Sequence, residues 1–354
     1  MMGRHPAFLR YEDAIATART WVAAGGRPEV ELGALEPMLW RQGEMRVEDL
    51  IRGLVENGFR VTMTSNGSLL RGRAAGLRRA GLSRLRVSWH TTDPRLFRDI
   101  SGGTGHYDSF YAGLLECAEA GLDLTFNRLL LQGHTSDLDV QLDLVSRHGL
   151  RLKLYDLMGT PDTRSLYRRY FQDWRPVVAR HVQPRTARSE TFSESLGRRR
   201  IRYHLFGGGV VEVKVGDTVD RSHGPCVTCP HRLTCLEAYG DYVRVTPSRW
   251  CYACYLRKDL GFGLERILHA VDPVPAFRAG LARLGCGLDP DAMLGRSSLR
   301  LTVVAHCNFR CRFPGSKVSW CLEQRQTQRQ IDHSSAQIRT AARVGTPISE
   351  QCYG

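Results

Sequence analysis

Arg60-Val-Thr-Met-Thr-Ser-Asn-Gly67 decides the fold of this chain, because of what stands on either side of it. The run alternates apolar and polar residues and closes on a turn, the pattern of a half-buried strand. Before it, Val47 to Asn57 has helical spacing and stops at Gly58. After it the cycle repeats: a helix over 68–80 with a stop at Gly81, then the strand Arg84-Leu-Arg-Val-Ser-Trp89. A helix over 107–120 stops at Gly121 before a strand over 123–131. Another over 137–148 stops at Gly149 before Arg151-Leu-Lys-Leu-Tyr155. Upstream, a helix over 11–24 ends at Gly25-Gly26 and precedes the short strand Glu29-Val-Glu-Leu-Gly33. Strands alternating with helices imply βα units, a parallel sheet and right-handed crossovers, hence an α/β fold with a curved sheet or partial (β/α) barrel. Such folds carry their chemistry at the carboxyl ends of the strands. The polar residues there are Glu36, Asn66, Ser88, His90, Asn127 and Asp156.

The remainder reads differently. Residues 161–200 form a polar, Arg-rich connection, and 201–215 read as a β-hairpin around Gly207-Gly-Gly209. A cysteine-rich α+β region follows to 285, with helices around 259–284. The strand Leu299-Arg-Leu-Thr-Val-Val-Ala-His306 comes last, and 322–354, rich in Gln, Ser, Thr and Arg, reads as a disordered tail.

Composition narrows the function. The 354 residues are 42% hydrophobic and 24% charged, as in an ordinary globular protein. No stretch approaches the roughly 20 apolar residues of a membrane span, and the first residues lack a signal-peptide core, so the cytoplasm is the expected compartment. A formal charge of +14 favours anionic partners, but its arginines are scattered. The densest run, Arg198-Arg-Arg-Ile-Arg202, is short for a nucleic-acid arm, and nucleic acid is not an expected partner. The 11 cysteines cluster at 226, 229, 235, 251 and 254, then at 307, 311 and 321. An odd total with Cys-x-x-Cys pairs favours metal or iron–sulfur ligation over disulfides.

Several pieces resemble the radical S-adenosylmethionine (SAM) superfamily, above all the GTP 3′,8-cyclases of molybdenum-cofactor biosynthesis. They are Thr64-Ser-Asn-Gly-Ser-Leu-Leu70, Ala80-Gly-Leu-Ser-Arg-Leu-Arg-Val-Ser-Trp-His-Thr-Thr-Asp-Pro-Arg-Leu-Phe-Arg-Asp-Ile-Ser101, Asn127-Arg-Leu-Leu-Leu-Gln-Gly133 and Arg151-Leu-Lys-Leu-Tyr-Asp-Leu-Met158, in the family's order. Cys307-Asn-Phe-Arg-Cys311 resembles the start of the family's cluster loop, with Pro314 where a third cysteine is expected. The resemblance covers a core over 29–158 and an auxiliary-cluster region over 201–260. It implies a partial (β/α) barrel and a [4Fe–4S] cluster that chelates SAM for reductive cleavage to a 5′-deoxyadenosyl radical. It also implies an electron donor of flavodoxin or ferredoxin type and a small-molecule or peptide substrate.

By the same resemblance, SAM contacts fall on Leu35, Glu36, Ser88, Met158 and Phe313. The SAM cluster falls on Cys307 and Cys311, with Cys321 as a candidate third ligand. Cys226, Cys229 and Cys254 match an auxiliary cluster, with Cys235 or Cys251 in addition; zinc is the alternative there, because two Cys-x-x-Cys pairs also hold Zn²⁺. Arg244 and Arg300 match substrate-binding arginines. The chain departs from the family at Ala34-Leu35, where it has two glycines, and at Glu31 and Thr125, where the cyclase has an arginine and a lysine. Reversed charge at Glu31 makes GTP an unexpected substrate.

The family's first strand, an edge strand, is displaced here to 298–314. One explanation is a circular permutation in which 299–306 docks beside 29–33. The other is a fragment or frameshift product, a degenerate protein that only binds an iron–sulfur cluster or zinc. Both explanations stand at this point.

Overall fold

The computed structural model describes residues 8–103, 105–159, 164–193, 199–215, 221–222, 224–233, 235, 237, 239–254, 256–257, 259–285 and 289–304. Its first half follows the helix–glycine–strand cycle. The helices are α1 (Tyr11–Ala23), α2 (Val47–Glu56), α3 (Ala74–Arg79), α4 (Pro94–Ile100), α5 (Tyr107–Glu119) and α6 (Leu138–Arg147). The strands between them are β1 (Glu29–Gly33), the small hairpin β2 (Arg41–Gln42) and β3 (Met45–Arg46), β4 (Arg60–Ser65), β5 (Arg84–Ser88), β6 (Leu124–Leu129) and β7 (Arg151–Tyr155). Gly58, Gly81, Gly121 and Gly149, which follow α2, α3, α5 and α6, all have positive φ. A side chain would oppose that backbone, so glycine ends each helix and turns the chain into the next strand. The expected helix over 68–80 shortens to α3, because the chain first turns through Gly72 at φ 73°.

Beyond β7 come β8 (Thr186–Ser193), β9 (Arg199–Leu205), β10 (Val210–Val215), β11 (Tyr242–Val245), β12 (Trp250–Tyr252), β13 (Gly261–Gly263) and β14 (Ser298–Thr302). One twelve-stranded sheet runs β13-β12-β11-β14-β1-β4-β5-β6-β7-β10-β9-β8. From β11 through β14, β1, β4, β5, β6 and β7 to β10 every pairing is parallel. The two flanks are antiparallel ribbons. This is the α/β sheet expected of a partial (β/α) barrel.

Two sequence expectations change. The displaced strand does dock on β1, with Val30 opposite Leu299, Glu31 opposite Arg300, Leu32 opposite Leu301 and Gly33 opposite Thr302. It is not at an edge: its other side pairs with β11, Tyr242 opposite Ser298. The cysteine-rich region thus extends the sheet past the inserted strand. Residues 186–193, read as part of a connection, form the outermost strand β8.

One face of the sheet is apolar. Leu32, Val61, Leu85, Phe126, Leu154 and Leu301 are all at most 2% exposed within a single large core. Burying each such side chain contributes about 2 kcal/mol. The alternate positions, Glu31, Thr64, Arg86, Asn127, Lys153 and Arg300, put polar groups on the opposite face. Among the described residues no helix is long and apolar enough to cross a membrane. Cys307, Cys311, Phe313, Cys321 and the expected tail over 322–354 lie outside the described residues.

Candidate functional site

The polar face is built on carboxylates held between cations from neighbouring strands. Glu31 is 6% exposed and accepts from Thr64 Oγ1 at 3.0 Å and Arg300 Nη2 at 2.9 Å, with Arg86 Nη1 at 3.1 Å. Burial alone raises its pKa, yet Arg300 and then Arg86 outweigh that and hold it down to about 2. Glu212 of β10 sits likewise between Lys153 (3.4 Å) and Arg202 (2.9 Å). Arg300 also lies over the Tyr242 ring, 3.9 Å from its centroid, which fixes the guanidinium from the β11 side.

At the carboxyl end of β1 the chain makes an unusual turn. Ala34 (φ 57°) and Leu35 (φ 52°) are both in the left-handed region that favours glycine. Glu36 anchors the turn from inside. It is 0% exposed and accepts from Met38 N at 3.0 Å, Ser65 Oγ at 2.9 Å and Asn66 N at 2.6 Å. Those neutral donors do not offset burial, which pushes its carboxyl up to about 7. The side chain of Glu36, an expected SAM contact, is thus engaged within the protein. Leu35, Ser88 and Met158 are each partly exposed at the carboxyl ends of β1, β5 and β7.

The loop after β5 is held by a buried network that sequence reading missed. Arg128, 0% exposed, donates to Asp137 Oδ1 at 2.6 Å, Gln141 Oε1 at 3.0 Å and the His134 carbonyl at 3.0 Å. Asp137 accepts from Thr91 Oγ1 at 2.8 Å and from the Thr92 backbone N–H, and Gln141 Nε2 donates to the Trp89 carbonyl at 2.9 Å. Burial raises the Asp137 pKa, but Arg128 and the other donors outweigh it, and the carboxyl is lowered overall. An arginine at a position that the alternation of β6 assigns to the apolar face, nine residues before an aspartate, was the available signal.

In the cysteine-rich region, Cys226, Cys229, Cys235 and Cys254 line one cavity with Arg221, Arg232, Arg244 and Tyr239. Burial raises the thiol of Cys226 to about 11 and raises those of Cys235 and Cys254. Cys251 does not join them. It lies on β12 opposite Val245 and Phe262, 0% exposed, a packing residue of the core. Of the two alternatives, Cys235 is the one brought to the cavity. Arg244 reaches it too, while its Nη1 donates to the Ala253 carbonyl at 3.3 Å. An all-sulfur donor set suits a soft metal or an iron–sulfur cluster. Among the described residues, however, no three His, Cys, Asp or Glu side chains are arranged to hold a single metal ion.

Comparison with known proteins bears on this sheet. Residues 1–141 match the radical SAM superfamily. The GTP 3′,8-cyclase of Xanthomonas campestris is 34% identical over 115 residues, 32% of this chain and 33% of that protein. A probable GTP 3′,8-cyclase of Methanothermobacter thermautotrophicus is 28% identical over 227 residues, 61% of this chain and 68% of the relative. The chain thus spans a third of the first relative's length and about two thirds of the second's. Coproporphyrinogen III oxidase (HemN) from Escherichia coli, titled a radical SAM enzyme, aligns at a TM-score of 0.38 and 12% identity over 50% of this chain and 46% of its own. The chain is radical SAM-like and similar to GTP 3′,8-cyclases.

Proposed function

We propose that this radical SAM-like chain is a radical SAM enzyme whose first strand is supplied by β14. The observation that carries the reading is the parallel, in-register pairing of β14 with β1, locked by the Glu31–Arg300 ion pair. β14 ends beside Gly33, at the end of the sheet where Leu35, Ser88 and Met158 lie, and the sequence continues from there into Cys307 and Cys311. A [4Fe–4S] cluster on these thiols, with Cys321 as third ligand, would supply reductive SAM cleavage. Around it, the chain's own residues would bind and orient: Leu35, the backbone of Glu36, Ser88, Met158 and Phe313 are the residues that would hold SAM.

The second cluster falls on Cys226, Cys229, Cys235 and Cys254. Zinc at 2.3 Å from each sulfur needs thiols packed around one point, whereas a cluster of four irons takes a wider ring. The support for the cluster is the all-sulfur lining of one cavity together with the radical SAM likeness of the sheet. Arg244 then faces cluster and substrate together.

The substrate is a small molecule or peptide less anionic than GTP. Arg300 and Arg86 are already neutralised by Glu31, and a polyphosphate would meet that carboxylate. Electrons come from a flavodoxin- or ferredoxin-type donor in the cytoplasm. The test is anaerobic reconstitution of the full chain. It predicts two [4Fe–4S] clusters by iron analysis and electron paramagnetic resonance, 5′-deoxyadenosine on adding SAM and reductant, and no retention of GTP in equilibrium dialysis. A single cluster that survives Cys307→Ala, with no 5′-deoxyadenosine, overturns the reading.

A further inference from the structure

The polar face of the sheet runs on toward the amino ends of the strands, away from Leu35, Ser88 and Met158, and opens there into a cavity of about 180 Å³. It is lined by Glu29, Arg60, Arg84, Tyr242 and Ser298, the first residues of β1, β4, β5, β11 and β14. Glu31, Thr62 and Arg86 line it too, two residues further along their strands and so on the same face. A single water needs only about 10–15 Å³ of such space, so a small organic molecule has room here.

The lining has donors to spare rather than acceptors. Glu31 accepts from Thr64 through Oε1 and meets Arg300 and Arg86 through Oε2. Glu29 is offset by Arg60 at 3.6 Å, and both side chains are well solvated. Arg86, in contrast, is only 20% exposed, and its one polar contact among the described residues is Glu31, 3.1 Å from Nη1. The remainder of its guanidinium fork is free to donate. The hydroxyls of Thr62 and Tyr242 likewise have no hydrogen-bond partner among the described residues. Arg300 at 3.9 Å and Arg244 at 5.1 Å from the ring centroid hold Tyr242 in place, and so fix where its hydroxyl stands. Three guanidiniums, Arg60, Arg84 and Arg86, against two carboxylates, Glu29 and Glu31, leave the lining one positive charge.

We infer that this cavity anchors the substrate, and that the substrate is a small organic acid whose single carboxylate takes the Arg86 fork and the hydroxyls of Thr62 and Tyr242. A guanidinium fork matches the two coplanar oxygens of a carboxylate. One negative charge balances the lining, whereas a phosphate dianion would exceed it and face Glu29 and Glu31. Arg86 precedes Ser88 by two residues, about 7 Å along β5, so a molecule held at Arg86 extends toward the end of the sheet where SAM is placed. The word substrate rests on the radical SAM reading above; the carboxylate site itself does not.

The site is tested on the full chain without any cluster, by titrating carboxyl-¹³C propionate and following its resonance. Saturable binding of one propionate per chain is expected. Thr62→Val and Tyr242→Phe each remove one hydroxyl, leave the Glu31–Arg300 pair intact, and should keep the melting temperature while weakening propionate about tenfold. Arg86→Lys keeps the charge beside Glu31 but not the fork, and should weaken it at least as much. Propionate that does not saturate, or that binds equally well to all three variants, overturns the site. Inorganic phosphate or methylammonium binding more tightly than propionate overturns the carboxylate assignment. In the reconstituted holoprotein, saturating propionate should shift the rate of 5′-deoxyadenosine release, and should not do so in Arg86→Lys. Propionate that binds without shifting that rate overturns the substrate role alone. Absence of 5′-deoxyadenosine altogether overturns the radical SAM reading, and the substrate role with it.

Discussion

Two glutamates, one inside β1 and one in the turn that leaves it, are both buried and yet behave in opposite ways. Glu31 is surrounded by cations and titrates at about 2, whereas Glu36 is surrounded by neutral donors and titrates at about 7. Burial presses both upward; at Glu31 the guanidiniums of Arg300 and Arg86 outweigh it, and at Glu36 the backbone and hydroxyl donors do not. The interior of the sheet is therefore an ionic structure that staples β14 to β1 and β5. The turn is a neutral hydrogen-bonded structure that holds backbone shape. Substitutions at the two positions should report on different things, strand assembly at Glu31 and loop geometry at Glu36.

The largest effect is expected at the ionic site. Glu31→Ala removes the carboxylate between Arg300 and Arg86, and should destabilise the chain by about 3–5 kcal/mol in chemical denaturation. Retention of wild-type stability would mean that the staple is dispensable. The pH dependences carry opposite signs. Glu36 has a folded pKa above its ordinary 4.5, so its contribution is full below pH 4.5 and is lost as pH rises through about 7. That span corresponds to about 3 kcal/mol, and Glu36→Gln should flatten the stability profile between pH 5 and 8 by a loss of that order. For Glu31, lowered to about 2, the contribution is present above pH 4.5 and is lost as pH falls toward 2. An unaltered profile in Glu36→Gln would show that the turn's carboxyl is not the titrating group.

The smallest effect lies in the residues between the two. Ala34 and Leu35 adopt a backbone suited to glycine, so Ala34→Gly and Leu35→Gly should each stabilise the chain by about 1 kcal/mol, net of the greater freedom of glycine when unfolded. Thermal melts of the single and double variants would show this. Destabilisation would instead mean that the Leu35 side chain contributes more to packing than its backbone costs.

Much of this was legible in the sequence. The strands β4 to β7 announced themselves because each alternates apolar and polar residues and each is preceded by a helix ending on glycine. β8 did not, since Thr186-Ala-Arg-Ser-Glu-Thr-Phe-Ser193 is polar on both faces and, among the described residues, pairs only with β9. Nor could spacing say that Cys235 reaches the thiol cavity while Cys251 faces the core, because strand register decides it. The docking of β14 on β1 was one of two explanations that the family resemblance left open, and the structure realises it. The place of β14 between β1 and β11 was not foreseeable, since that depends on β11 pairing across a separation of more than 50 residues. The loop after β5 was hidden for a similar reason. Its restraints come from Arg128, Asp137 and Gln141, whose convergence exists only once β6 and α6 are packed.

The central claim is that β14 stands inside the sheet beside β1, and the Glu31–Arg300 pair across that junction tests it most directly. In a double-mutant cycle of Glu31→Gln, Arg300→Gln and the double variant, followed by chemical denaturation, β14 insertion predicts that the double variant loses less than the sum of the singles, with a coupling above about 1 kcal/mol. Losses that add within about 0.3–0.5 kcal/mol would contradict it, placing Arg300 away from Glu31 and β14 outside the sheet.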